Sequence, residues 1–150
     1  MGADTLRWLL EHGADVNAKQ DDHWTPLHMA ARNGNFELFL TLLRHNADIN
    51  AQNDIGHTPL HAASNNGHVD IARFLLDHGA DPEARGKDQS TPLHWASYWG
   101  ELEVAHLLLE RGADVDAEDD KGRTAYQIAL KEGHDAVAQL LSGQGVENKT

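Results

Sequence analysis

The sequence predicts an all-α solenoid, a row of helix pairs stacked side by side. Three observations predict it. The tetrapeptide TPLH stands at Thr25–His28, Thr58–His61 and Thr91–His94, and TAYQ at Thr124–Gln127 continues the series, each start 33 residues after the last. A second marker, GAD at Gly13, Gly79 and Gly112 with NAD at Asn46, keeps the same period. Two independent landmarks holding one period make the chain a repeat protein, and that reading precedes every other. Finally, no unit can bury its apolar face alone. Leu60, Ala63, Ile71, Leu75 and Leu76 need neighbouring units on either side, which only a linear stack supplies.

The elements follow in order. Residues 3–18, ADTLRWLLEHGADVNA, carry only a second helix and its stop, so 1–19 is read as a half unit. Full units are expected over 20–52, 53–85 and 86–118, with a capping unit over 119–142. In each, a Thr caps the first helix, and in the first three a Pro follows at a position where the missing N–H is not needed. That helix is short and ends near Gly34, Gly67, Gly100 or Gly133. A second, more apolar helix follows, as in His68–His78, and Gly79 stops it by taking the left-handed conformation without a Cβ penalty. A polar stretch leads to the next unit. The last unit has Ala125 for Pro, Gln127 for His and a more polar second helix, which suits an outer face in water. GQGVENKT, 143–150, is expected to be a flexible tail. The missing first helix before residue 3 suggests a chain that starts inside a longer array, or one that was cut or engineered, with Leu6 and Trp8 as candidates for exposed apolar surface.

Composition narrows the function. A chain of 150 residues with 40% hydrophobic content can hold one cored domain. No apolar run approaches the roughly 18 residues of a membrane helix, and the first residues lack a leader's basic start. With no Cys there is no disulfide or thiol chemistry, and a reducing, cytoplasmic compartment is the expectation. A formal net charge of -12 repels phosphate backbones, so no nucleic-acid partner is expected.

The stretch GHTPLHAASNNGHVDIARFLLDHGADPEA, Gly56 to Ala84, resembles the ankyrin-repeat family, and the likeness runs from about Asp4 to Leu141. The resemblance implies L-shaped units with antiparallel helices and projecting β-turn fingers. It also implies a concave face built from fingers and first helices, protein partners, and no shared catalytic residues. The fingertip Gly, present at 56 and 122, is replaced by His23 and Gln89, so two fingertips are expected to be strained or reshaped.

The stretch TPLHWASYWG, Thr91 to Gly100, gathers Trp95, Tyr98 and Trp99 on one helix face, opposite Leu93, Ala96 and Ser97. The sibling units act as an internal control. Positions matching Trp95 are Met29, Ala62 and Ile128, all apolar, so Trp95 is expected to be half-buried between units. Positions matching Tyr98 and Trp99 are polar in every sibling: Arg32 and Asn33, Asn65 and Asn66, Lys131 and Glu132. The two aromatics either cover a local gap or anchor a partner, and the second reading is favoured because Trp and Tyr are typical hot-spot residues. Trp24 supports it, in the slot that His57, Ser90 and Arg123 fill elsewhere, on the inner side of a finger. The expected face takes Asp21, Asp22, Trp24, Arg32 and Asn33 from the first full unit, and Ile55, His57, Asn65 and Asn66 from the second. Lys87, Asp88, Ser90, Tyr98 and Trp99 follow from the third, and Lys121, Arg123 and Lys131 from the last. On an outer helix, Phe39 and Leu40 are oversized for slots held elsewhere by Ala72 and Ala105, and by Arg73 and His106; ordinary packing is favoured over a self-association surface.

Eleven His raise the question of a metal. His28, His61 and His94 belong to TPLH and can bond the Thr hydroxyl and the adjacent finger. His68 and His134 follow a turn Gly. His12, His45 and His78 end second helices, where a cation suits the dipole. His23, His57 and His106 fall outside these roles. No three converge at ligand spacing, so no metal, cofactor or catalytic residue is assigned. The repeated Asp15, Asp48, Asp81 and Asp114 are read as turn residues. The function expected is a non-catalytic interaction module that holds a protein with an apolar knob and a basic rim. The alternative is a homodimer or a designed assembly scaffold joined through the half unit or the outer helix. The frameworks of the units differ throughout, which favours a natural array, with alteration at Trp24, Trp95, Tyr98 and Trp99 left open.

Overall fold

The structure, a computed structural model, describes residues 3–20 and 23–147, with side chains to residue 144 at the C-terminal end. Asp21 and Asp22 lie outside the described residues. Nine helices occur among them: α1 (Ala3–Glu11), α2 (Pro26–Asn33), α3 (Phe36–Arg44), α4 (Pro59–Asn65), α5 (Val69–Asp77), α6 (Pro92–Trp99), α7 (Leu102–Glu110), α8 (Ala125–Glu132) and α9 (Asp135–Glu147). They form two layers. First helices α2, α4, α6 and α8 pack in a row, and second helices α1, α3, α5, α7 and α9 pack in another. The core runs between the layers as a continuous band, with Leu27, Leu42, Leu60, Leu75, Leu93 and Leu108 fully buried. The all-α solenoid expected from the period is the architecture observed. Helix α9 continues through Gly143, where the sequence suggested that the tail begins.

Each TPLH motif works as a two-way clamp. The Thr58 N–H donates to His61 Nδ1 at 3.1 Å, with the Thr58 hydroxyl 3.0 Å from the same nitrogen. With Nδ1 an acceptor, Nε2 carries the proton and donates to the Ser90 carbonyl of the next finger at 3.2 Å. His28 reaches the His57 carbonyl and His94 the Arg123 carbonyl in the same way, at 2.9 and 3.0 Å. One imidazole therefore starts a helix and fastens the neighbouring unit.

The GAD aspartates close local turns. Asp15, Asp48, Asp81 and Asp114 each accept the N–H two residues on. Side chains of Asn17, Asn50 and Glu83 then accept the N–H of Asp48, Asp81 and Asp114 in the following unit. Fingers are joined through backbone as well: Lys87 N–H donates to the Ile55 carbonyl and Asp120 N–H to the Asp88 carbonyl, both at 2.8 Å.

His134 shows why a glycine ends α6. Its ring donates from Nε2 to the Tyr98 carbonyl at 3.0 Å, and a Cβ at Gly100 would lie 2.5 Å from that ring. Gly100 also has φ +76°, so both space and conformation require Gly.

The fingertip expectation is met. His23 and Gln89 sit at φ 56° and 59°, beside Gly56 at 77° and Gly122 at 69°. Asn46, the NAD departure from GAD, is also left-handed at 63°. Gln89→Gly is expected to raise stability by about 0.5–1 kcal/mol, because removing Cβ relieves the left-handed penalty. The reverse change, Gly56→Ala, adds that penalty and brings a Cβ within 3.2–3.3 Å of backbone at residues 85–87, and is expected to cost more than Gln89→Gly gains. Urea unfolding of the two variants checks the pair. A neutral Gly56→Ala would overturn the account.

On the outer layer, Phe39 is fully buried and meets Phe74 edge-on at 5.8 Å. Leu40 is half-buried rather than exposed, packed against the core beside Leu43.

Candidate functional site

The aromatic helix α6 opens onto a groove of about 360 Å³ between the third and fourth units. Its lining joins Trp95, Tyr98 and Trp99 to Asn65, Asp88, Ser90, His94, Asp119, Arg123 and Ile128. Helix geometry places them so. Leu93, Ala96 and Ser97 are buried on the opposite side of α6, which turns Tyr98 and Trp99 outward at 45% and 53% exposure. Their rings meet edge-on, with centroids 5.2 Å apart at 75°.

Trp95 is half-buried, as expected from its apolar siblings. Its ring stands edge-on to His57 at 4.4 Å and to His61 at 6.0 Å, both from the preceding unit. Its indole N–H donates to Ser90 Oγ at 3.0 Å, and the Ser90 hydroxyl donates to Asp88 Oδ1 at 2.7 Å. The Ser90 N–H also donates to Asp88 Oδ1, at 3.1 Å. Trp95, Ser90 and Asp88 are thus held as one rail along the groove. Partial burial works against a charged Asp88, but the two Ser90 hydrogen bonds and nearby His57 outweigh it and hold the carboxyl below the usual range.

Two expected contact residues are corrected. His57 and Ser90 are buried, at 4% and 6% exposure, so His57 offers no contact surface and Ser90 reaches the groove only as part of its lining. His57 lies under Trp95 and stacks on His61 at 5.0 Å, because the wide indole of the next unit covers its slot. Burial keeps the His57 imidazole neutral, opposed by Asp88, whose Oδ1 is 3.6 Å from Nε2. Ser90 acts inside the rail. Arg123 lines the groove, but its guanidinium is engaged with Asp119 Oδ2, by Nε at 2.9 Å and by a terminal nitrogen at 2.6 Å. Asp119 Oδ1 accepts the N–H of Lys121 and of Arg123. Sequence reasoning missed Asp119 as a groove residue; the signal was its spacing of four from Arg123 across a finger.

The remaining expected residues stand apart from this groove. Trp24 is half-buried against the core, with the Arg32 guanidinium 5.7 Å above its ring. Asn33 is exposed. Asn66 is exposed and donates to the Ala62 carbonyl at 3.3 Å.

The histidines outside TPLH hold structure. His12, His45 and His78 bond the carbonyl four residues back, and His68 bonds the Arg32 carbonyl as His134 bonds that of Tyr98. His23 pairs with Asp54, and His106 lies 3.5 Å from Glu110. Among the described residues no group of three or more His, Asp or Glu could hold a metal ion. No described helix is long and apolar enough to cross a membrane.

The family description "Ankyrin repeats (3 copies)" matches residues 1–86, 42–119 and 85–150. The chain belongs to the ankyrin-repeat family. No curated protein matches it. Repeats of this family are generally protein-interaction modules, and their stacked design explains why finger and first-helix residues of successive units share one surface here.

Proposed function

We propose that this ankyrin-repeat domain is a non-catalytic module that docks a partner protein on its finger and first-helix face, with Tyr98 and Trp99 as the anchor. One observation carries the reading. Two large aromatics stand about half exposed over a groove, at positions where every sibling unit has a polar residue. Large, rigid side chains beside a pocket give binding energy at small entropic cost. Trp24 and Arg32 extend the same kind of surface toward the first full unit. The test is panning of a displayed peptide library, followed by affinity measurement on purified variants. Trp99→Ala is expected to weaken selected peptides about 30-fold, a hot-spot loss of about 2 kcal/mol. Trp8→Ala, on α1, is expected to leave them unchanged. Equal affinity of wild type and Trp99→Ala would end the proposal.

Self-association is the second reading, favoured by Trp8, which is 57% exposed on α1 and stacked on His12 at 4.1 Å. Light scattering over a wide concentration range separates the two: a dimer that Trp8→Ala dissolves would support it, and a monomer throughout would remove it.

A further inference from the structure

We propose that the groove beside Tyr98 and Trp99 is a cation pocket, and that it takes an arginine side chain of the partner segment, with its guanidinium over the aromatic rings and paired to Asp88 Oδ2. This rests on the docking reading and names the chemistry of what docks.

The argument starts from unused capacity. Asp88 Oδ1 is filled by the Ser90 hydroxyl and N–H. Asp88 Oδ2 has no hydrogen-bond partner among the described residues, and the side chain is 50% exposed at the groove. The other carboxylate of the lining, Asp119, is already consumed by Arg123 and two backbone N–H groups. The groove therefore holds one free anionic oxygen beside Trp95, Tyr98 and Trp99.

An apolar occupant would strand that carboxylate oxygen away from water, at a cost in affinity. An anionic occupant would meet Asp88 and a chain of formal net charge -12. A cation meets both features of the site, since aromatic faces and a carboxylate attract it together. Arginine suits it better than lysine. Its flat, weakly hydrated guanidinium stacks on rings while its N–H groups reach a carboxylate. The protein makes the ring half of this pairing internally, with the Arg32 guanidinium over Trp24 at 5.7 Å. The rail from the Trp95 indole through Ser90 to Asp88 keeps ring and carboxylate in fixed relation before anything binds.

The experiment titrates isotope-labelled protein with N-acetyl-arginine amide and, separately, with the citrulline analogue, which keeps the shape and loses the charge. Indole N–H signals report the site by nuclear magnetic resonance. Saturable shifts of Trp95 and Trp99, with Trp8 unmoved, are expected for arginine. Citrulline is expected to bind at least tenfold more weakly, as is arginine to Asp88→Asn. Trp99→Ala, which leaves the rail intact, is a second variant should Asp88→Asn unfold. Equal shifts with citrulline, or no saturable shift with arginine, would overturn the cation pocket. Peptides from the library that need Trp99 but contain no essential arginine would overturn it too, while leaving the docking reading standing. Saturable arginine binding with no Trp99-dependent peptide would do the reverse.

Discussion

Moving from about pH 7.5 to about pH 5 is expected to lower the unfolding free energy steeply, by about 2 kcal/mol from His61 alone. Burial is the first cause. It pushes His61 down to about 3, helped by neighbouring His57, against the Ser90 carbonyl bond, which pulls the other way. His28, His57 and His94 are lowered by the same desolvation. A histidine held neutral in the fold but free to protonate near 6.5 when unfolded makes the unfolded state bind more protons below that pH. Stability is then complete above about 6.5 and falls as the solution is acidified, by up to about 1.4 kcal/mol per pH unit for each such group. Glu83, raised by its own burial, opposes the trend. Asp88 and Asp119, both lowered, reinforce it, but only below about pH 4. Urea midpoints measured across this range check the sign. A midpoint that holds or rises on acidification would mean that the clamp histidines are not neutral in the fold.

The clamp was legible in the sequence because it is periodic. TPLH recurs every 33 residues, so the Thr–His pair and its reach to the next finger could be read from one unit and carried to the others. The strained fingertips at His23 and Gln89 were legible for the same reason, as departures from Gly56 and Gly122. The groove was half legible. The exposure of Tyr98 and Trp99 follows from polar siblings, but the burial of His57 does not. Its slot is held by Trp24, Ser90 and Arg123 in other units, and comparing slots ignores what the next unit lays on top. Only the third unit has a Trp after its TPLH, so only the slot before it, His57, is roofed by an indole. The pairing of Arg123 with Asp119 and the rail from Trp95 to Asp88 were hidden for the same reason: each occurs once, and a period reports only what repeats.

His61→Ala is expected to destabilise the domain by about 3–4 kcal/mol, and His61→Gln by about half of that. The alanine removes a fully buried ring, leaves a cavity against His57, strips the Thr58 N–H of its partner and takes from the Ser90 carbonyl one of its two donors, the Gly86 N–H remaining. Buried polar groups left unpaired cost more than the bond itself contributed. Glutamine separates the two jobs of the imidazole. At the matching position of the fourth unit, Gln127 Oε1 accepts the Thr124 N–H at 3.0 Å, so glutamine can keep the helix start. Its amide is not placed to reach across as Nε2 does, so the bond to the next finger is lost and the Ser90 carbonyl keeps only the Gly86 N–H, at 3.0 Å. That carbonyl belongs to the residue whose hydroxyl orients Asp88, which ties the cost to the groove. The glutamine variant also lacks the titrating ring, so its stability should fall less on acidification than that of the wild type. Thermal and urea unfolding of the three proteins at neutral and acid pH decide it. If glutamine proved as costly as alanine, the clamp would lie almost wholly between units. If alanine cost under about 1 kcal/mol, the imidazole would not be holding the stack.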